Sequence, residues 1–178
     1  MGSVVVRPGE LTDATALGTI RVAAWRQAYD RSVAREVLDG LDAEHEALAF
    51  AARMHADPAI HTLVAVSEGV VIGYCIFGPD RDEPTPDRGE VYAVYVHPDH
   101  WRSGAGSQLM NAALEELAAS GRGEVSLWVL TANAAARDFY THGGWRPDGA
   151  ERVLDRLPMP DGSAVREVRY VRLSQPTG

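Results

Sequence analysis

Apolar residues recur along this chain in short runs, and their spacing assigns an element to almost every stretch. Val4–Arg7 predicts a strand closed by Pro8-Gly9. Thr12 or Asp13 can cap a helix whose apolar stripe is Ala16, Leu17, Ile20 and Ala24, with the register running on through Trp25 to Tyr29. Val33–Leu41 and Asp42–His55 read as further helical pieces that end near Asp57-Pro58. His61–Ser67 and Val70–Phe77 predict an antiparallel pair around a Glu68-Gly69 turn. Residues 78–87 carry three prolines and five charged side chains and read as a surface loop. Glu90–Val96 is the next strand. Simple alternation puts Glu90, Tyr92, Val94 and Val96 on one face and Val91, Ala93 and Tyr95 on the other. Gly104–Ser120 predicts a helix that buries Leu109, Met110, Ala113, Leu114 and Leu117, turns Glu115 and Glu116 outward, and ends at Gly121 and Gly123. Val125–Leu130 reads as a strand and Asn133–His142 as a helix capped by its asparagine. Trp145, Glu151–Leu154 and Glu167–Leu173 supply the last strands around a Pro158–Gly162 turn. No repeat or linker divides residues 1–178, so a single α+β domain is expected.

Composition narrows the picture only a little. At 178 residues, 46% apolar and 24% charged, the chain matches an ordinary soluble domain. No apolar run approaches the roughly 20 residues that span a bilayer, and the first residues lack the layout of a signal peptide. A cytoplasmic protein without membrane contact is therefore the expectation. The net charge of −8 argues against nucleic acid as a partner. Glu36, Asp39, Asp42, Glu44 and Glu46 read as a solvated helix face, against a reading as a surface that favours a cationic acceptor. Cys75 lies in a strand-like run with no activating neighbour, as an inert buried thiol would.

The chemistry concentrates in residues 91–110. A β-branched and aromatic strand stops at Pro98, and a short loop delivers Gly104-Ala105-Gly106 to a helix start. Free N–H groups of a first helical turn carry partial positive charge, and glycine there lets an anion come close. The pattern predicts a bound phosphate. It lacks the third glycine of a dinucleotide fingerprint and the lysine of a Walker loop. His97-Pro98-Asp99-His100 holds metal-capable residues, but Pro98 keeps them extended in a loop, so no metal is expected.

Glu90 to Pro98 followed by Trp101-Arg102-Ser103-Gly104-Ala105-Gly106 resembles the acyl-CoA motif of the GNAT N-acetyltransferases. The stretch from Leu127 through Asn133, Ala136, Phe139-Tyr140 and Gly144-Trp145 is similar to that family's second signature. Val6-Arg7-Pro8 and Arg169-Tyr170 fit as well, so the likeness spans nearly the whole chain. One position departs: Trp101 stands where the family has Gln or Arg, with Arg102 displaced by one.

The resemblance implies the GNAT fold, a mixed, mostly antiparallel sheet of six or seven strands flanked by helices. A parallel pair in it splays at the acyl-CoA site. It implies acetyl-CoA as co-substrate, with main-chain groups of Val94, Tyr95 and Val96 on pantetheine and the thioester carbonyl. Pyrophosphate would rest on Trp101, Arg102, Ser103, Gly104, Ala105, Gly106 and Ser107. Asn133 and Ala136 would lie along the cofactor's arm. Tyr140 is the family position for the acid that protonates the departing thiolate, against a reading as helix-end packing. Glu90 is where relatives place a carboxylate that deprotonates the amine through water, against a reading as an exposed strand-end charge. Tyr92 would accompany it. Trp25 and Tyr29 read either as acceptor-pocket lining or as core. The activity implied is direct transfer of an acetyl group to a primary amine in a ternary complex, with a small-molecule acceptor. A protein N-terminus or lysine, or a non-catalytic acyl-CoA sensor, is the alternative. A homodimer is common in the family.

Overall fold

The structure, a computed structural model, describes residues 3–54, 56–82 and 87–174, with the side chains of 155–158 left aside. Its centre is one seven-stranded sheet in the order β1-β2-β3-β4-β5-β7-β6. The strands are β1 (Val4–Pro8), β2 (His61–Ser67), β3 (Val70–Pro79), β4 (Arg88–Val96), β5 (Glu124–Leu130), β6 (Arg146–Pro158) and β7 (Ala164–Leu173). Every neighbouring pair is antiparallel except β4 and β5. The expected sheet, with its parallel pair, is present.

Helices α1 (Ala14–Ala28), α2 (Arg35–Asp39) and α3 (Ala43–Arg53) precede β2, while α4 (Ala105–Ala119) and α5 (Ala134–His142) bracket β5. The α4 stripe predicted from spacing is the buried one. It packs with Cys75, Phe77, Val91, Val125, Leu127 and Val129 into the main core. On the opposite sheet face, Ala14, Leu17 and Ile20 of α1 meet Phe50, Val64 and Tyr74. A third cluster joins Tyr29, Val33 and Leu38 to Leu130 and Val165. Gly18 lies where α1 crosses α3, and a Cβ there would come within 2.2 Å of the Ala43 carbonyl oxygen, so the crossing demands glycine.

Local signals and structure agree at several ends. Glu68 and Gly69 both take positive φ (51° and 80°), the turn that matches strand twist in a two-residue hairpin. Asp42 caps α3 by accepting from the His45 amide at 2.7 Å. Asp13 caps differently from the expectation: its carboxylate accepts from the Glu10 amide and from both ends of the Arg7 guanidinium, each at 2.8 Å. That guanidinium holds Asp13 below the usual carboxylate range. Cys75 is buried, and burial pushes its thiol up, as an inert thiol requires.

Two expectations change. Strand β3 continues to Pro79, and Asp80 beyond it is buried, so the start of the 78–87 segment is anchored; residues 83–86 lie outside the described residues. The alternation in β4 breaks as well. Ala93 faces Ile76 and Val91 faces Phe77, which leaves Tyr92 as the extra residue of a β-bulge. Val91, Val94 and Val96 therefore all turn toward α4, and Glu90 falls on the opposite face, the side of Ala93 and Tyr95.

Candidate active site

The parallel ladder of β4 and β5 runs only from Arg88↔Glu124 to Val91↔Leu127. Beyond it β4 continues to Val96 and β5 to Leu130, so the strands part and one edge of β4 opens toward β5. The His97 amide donates to the Ile72 carbonyl on β3 at 2.8 Å. Alternation then turns the main-chain groups of Tyr95 toward β3 and those of Val94 and Val96 into the opening. Of the three residues expected to offer free amides, Tyr95 is corrected on this ground. Trp101 is 45% exposed, and its indole N–H donates to the Val96 carbonyl at 2.8 Å. The departure from Gln or Arg thus places a donor on the open edge.

Past Trp101 the chain makes a tight loop. Arg102 takes φ of 62° and Gly104 φ of 86°, conformations in which L side chains are strained. Gly104 precedes α4 with no side-chain cap, and the Ser103 hydroxyl reaches only the Ala105 amide, at 3.4 Å. Amides of the first turn, at Gly106 and Ser107, thus remain available to an anion. A Cβ on Gly106 would sit 3.4 Å from the Phe139 ring and 3.8 Å from Val96, so the loop, α5 and the opening adjoin. The Arg102 side chain is exposed, one residue from the family position.

Helix α5 starts at Asn133, whose side-chain oxygen accepts from the Ala136 amide at 3.1 Å. Tyr140 is buried to 9% exposure, with the rings of Phe139, Trp145 and Tyr170 around it at 5.4, 6.2 and 6.3 Å. It shares a core cluster with Val94, Val96 and Ala136. Burial first, then Tyr95 and Cys75, push its phenol above the ordinary tyrosine value. A phenol so held stays protonated at neutral pH.

The other wall of the opening is built of side chains. Trp25 and Tyr29 stand edge to face at 4.9 Å, and the Trp25 indole donates to the Tyr95 hydroxyl at 2.9 Å. Burial raises the Tyr29 phenol well above its ordinary value, with Tyr95 adding and a hydrogen bond to Asn133 opposing. Thus Trp25 and Tyr29 both pack and face the polar groups of the opening.

Glu90 differs from both of its expectations. It is 1% exposed, and Arg81 covers it: the Arg81 main-chain N–H and Nε each donate to Oε2 at 3.0 Å, while Nη2 meets Oε1. The guanidinium also lies 4.3 Å from the Tyr92 ring centre, and the Tyr92 hydroxyl donates to the Pro79 carbonyl at 2.6 Å. Burial, then Glu90, push the Tyr92 phenol up to about 12. Glu90 and Tyr92 are neighbours, as expected, but water reaches the carboxylate only if Arg81 moves.

A second group on this face carries no local sequence motif. Ser126 and Trp128 of β5 alternate with the core residues Leu127 and Val129 and so point the other way. Trp128 donates to Asp82 at 2.6 Å, and the Arg152 guanidinium lies 4.2 Å from its ring centre. Arg152 donates to Glu167 at 2.7 Å. Ser126 donates to buried Asp80 at 2.8 Å. Residues 80–82, β5, β6 and β7 meet here across up to 87 positions (80 to 167), which no local motif could reveal. The alternation of Ser126 and Trp128 within an apolar strand was the available signal.

Among the described residues no group of three metal-ligating side chains comes together. No helix among them is long and apolar enough to cross a membrane. Two surface cavities of about 230 and 300 Å³ flank the His61–Glu116 pair and share no residue with the opening.

A parallel pair that parts beside an uncapped, glycine-led helix is the arrangement that the resemblance implies for an acyl-CoA site, and comparison with known proteins agrees on the family. The model of the acetyltransferase (GNAT) family matches residues 19–145, and the chain belongs to that family. It is an acetyl-CoA-dependent N-acetyltransferase. It is 30% identical over 131 residues to the uncharacterized N-acetyltransferase YuaI of Bacillus subtilis, covering 73% of each chain. It is 31% identical over 96 residues to the L-amino acid N-acyltransferase MnaT of Escherichia coli, covering 54% of this chain and 55% of that one. Its fold is that of PaiA N-acetyltransferase from Thermoplasma acidophilum in complex with coenzyme A, with a TM-score of 0.74 at 18% identity over 96% of this chain and 99% of the other.

Proposed function

We propose that this enzyme acetylates the primary amine of a small molecule, by direct attack within a ternary complex. The observation that carries the reading is the β4–β5 opening after Val91 and Leu127, bordered on one side by main chain and on the other by aromatic and charged side chains. Bound acetyl-CoA supplies an activated acetyl carbonyl on a thiol leaving group. The uncapped first turn of α4 and the glycine at 106 suit its pyrophosphate, and the free edge of β4 suits a polar arm.

The chain's own contributions follow from this placement. Main-chain N–H groups of Val94 and Val96 face the opening and would stabilise charge developing on the carbonyl oxygen. The amine nitrogen forms a bond to the carbonyl carbon as the carbon–sulfur bond breaks. The Tyr140 hydroxyl gives its proton to the leaving sulfur, and the proton released from nitrogen replaces it. Asn133 and Ala136 border the arm, with Trp101, Arg102, Ser103, Gly104, Ala105, Gly106 and Ser107 around the phosphates. Trp25, Tyr29 and Tyr92 border the acceptor. Glu90, held by Arg81, is the base of this reading only if that pair opens.

The small-molecule reading draws on MnaT, named for L-amino acids, and on two curated mycothiol acetyltransferases that match parts of the chain. A screen of amines with acetyl-CoA, following free CoA thiol, tests it. Turnover on small amines is the expected result. Turnover confined to peptides with free N-termini or lysines would replace it with a protein acceptor.

A further inference from the structure

The carboxylate best placed to receive the acceptor is one that the sequence motifs leave out. Glu167 of β7 pairs in register with Leu130, the last residue of β5, and with Arg152 of β6. Its neighbours on the same face are Val165 and Leu130, which pack against Tyr29. Glu167 therefore borders the splayed end of β5, beside the aromatic wall, whereas Glu90 lies in the closed part of the ladder. The two carboxylates also differ in access. Glu90 is 1% exposed under three bonds from Arg81, whereas the Glu167 side chain keeps 14% exposure and one short bond, from Arg152 Nε to Oε2. The field of Glu167 reaches the Tyr29 and Tyr95 phenols, consistent with its facing the opening.

The partner of Glu167 decides what it can accept. Arg152 lies flat over Trp128, with its charge at the same place as the carboxylate. A simple ammonium approaching Glu167 meets that guanidinium, and displacing it would cost the half-buried cation its short hydrogen-bonded partner and leave it only the looser contact with Asp82, 3.6 Å away. A molecule carrying an ammonium and an acid group on adjacent carbons repairs both ends: its cation replaces Arg152 at Glu167, and its anion replaces Glu167 at Arg152. Charge is conserved, and each ion keeps a hydrogen-bonded partner. We infer that the Glu167–Arg152 pair is the acceptor-recognition element, and that the acceptor is a zwitterion of the α-amino-acid type. The assignment rests on the small-amine reading above. Glu167 binds the ammonium, which gives one proton to solvent so that the neutral amine attacks in the opening; Arg152 binds the acid group.

The test sets the twenty L-amino acids, with acetyl-CoA, against phenethylamine, 3-methylthiopropylamine and isopentylamine. These three are the carboxyl-free counterparts of phenylalanine, methionine and leucine. At least one amino acid should be turned over with kcat/KM about tenfold or more above the carboxyl-free amines, the size expected of one charge-assisted contact. Glu167→Gln should raise the KM for that amino acid by about ten- to a hundredfold and leave the KM for acetyl-CoA unchanged. Arg152→Gln should bring the ratio between amino acid and carboxyl-free amine close to one. Carboxyl-free amines accepted as well as amino acids by the wild-type enzyme would overturn the assignment without any variant. So would a Glu167→Gln enzyme with an unmoved amino-acid KM, while the small-amine reading stood. Turnover on none of these compounds, with turnover on other small amines, would overturn the assignment alone; turnover confined to peptides would overturn the small-amine reading and the assignment with it.

Discussion

The α4 side of the β4–β5 opening offers backbone: the edge of Val94 and Val96, and the uncapped first turn of α4 behind Gly104. The α1 side offers side chains drawn from α1, residues 80–82, β5, β6 and β7, tied to one another by ion pairs and indole hydrogen bonds. Main chain is the same whatever the sequence, so a donor site made of it needs only the right turn and strand. A wall made of side chains can be rewritten one residue at a time. The contrast accounts for a family that holds one donor and changes its acceptors, and it predicts where substitutions will be felt.

The sharpest way to break the contrast is to put charge into the backbone-built side. Gly106→Glu should abolish acetyl-CoA binding, a loss of about a hundredfold or more by calorimetry, because a carboxylate would face the phosphates. Gly106→Ala, whose Cβ meets only ordinary contacts at 3.4 Å and beyond, should bind almost normally. Equal losses in both would show that shape, and not charge, governs the loop.

Next in size is Tyr140→Phe. It should lower kcat by about a hundredfold with an unchanged KM for acetyl-CoA. The sign of the pH dependence follows from the raised phenol: the acid form persists through and beyond the ordinary tyrosine value. The wild-type kcat should therefore show no fall on the alkaline side up to about pH 10 from this group. A descending limb below that value, absent in the variant, would contradict the raised phenol while keeping Tyr140 as the acid; an unchanged kcat in the variant would remove it from that role.

Glu90→Gln should be mild in rate and visible in stability. With Arg81 no longer matched, the melting temperature should fall by several degrees, as expected for about 1–2 kcal/mol in a domain of this size. The kcat should stay within about threefold of wild type. A fall of fiftyfold or more would make Glu90 the base and mean that the Arg81 cover opens in turnover. The smallest effect belongs to Trp101→Phe, which removes one neutral hydrogen bond to the Val96 carbonyl. Acetyl-CoA affinity should weaken by about two- to tenfold, read by titration calorimetry.

What could be read directly from the chain was what local chemistry writes. Helix α4 and its buried stripe, the Glu68-Gly69 turn and the Asn133 cap each depend on residues within one or two turns of one another. The shortness of α2 was not legible, because Val33 and Leu38 are buried by Tyr29, Leu130 and Val165 from distant segments. Strand β6 begins at Arg146, ahead of the Glu151 start expected from spacing, and it does so despite Pro147 and Gly149. It survives there because β6 is an edge strand that tolerates proline, and Gly149 absorbs an irregularity at φ of 92°. The bulge at Tyr92 was hidden for a related reason. Period-two patterning carries no sign of an inserted residue, so it assigned Val94 and Val96 to the face of Glu90. Glu167 escaped notice because its surroundings come from strands joined only by the fold.

The ion pairs that shape the acceptor side share one trait: every cation in them is a guanidinium, and all 17 basic residues of the chain are arginine. An ammonium side chain near an activated thioester would itself be a substrate. Guanidinium groups hold their protons above pH 12 and do not act as nucleophiles at physiological pH. The enzyme thus handles a reactive acyl donor among positive charges that the donor cannot modify, and no lysine anywhere in the sequence offers its own acetyl groups a place to land.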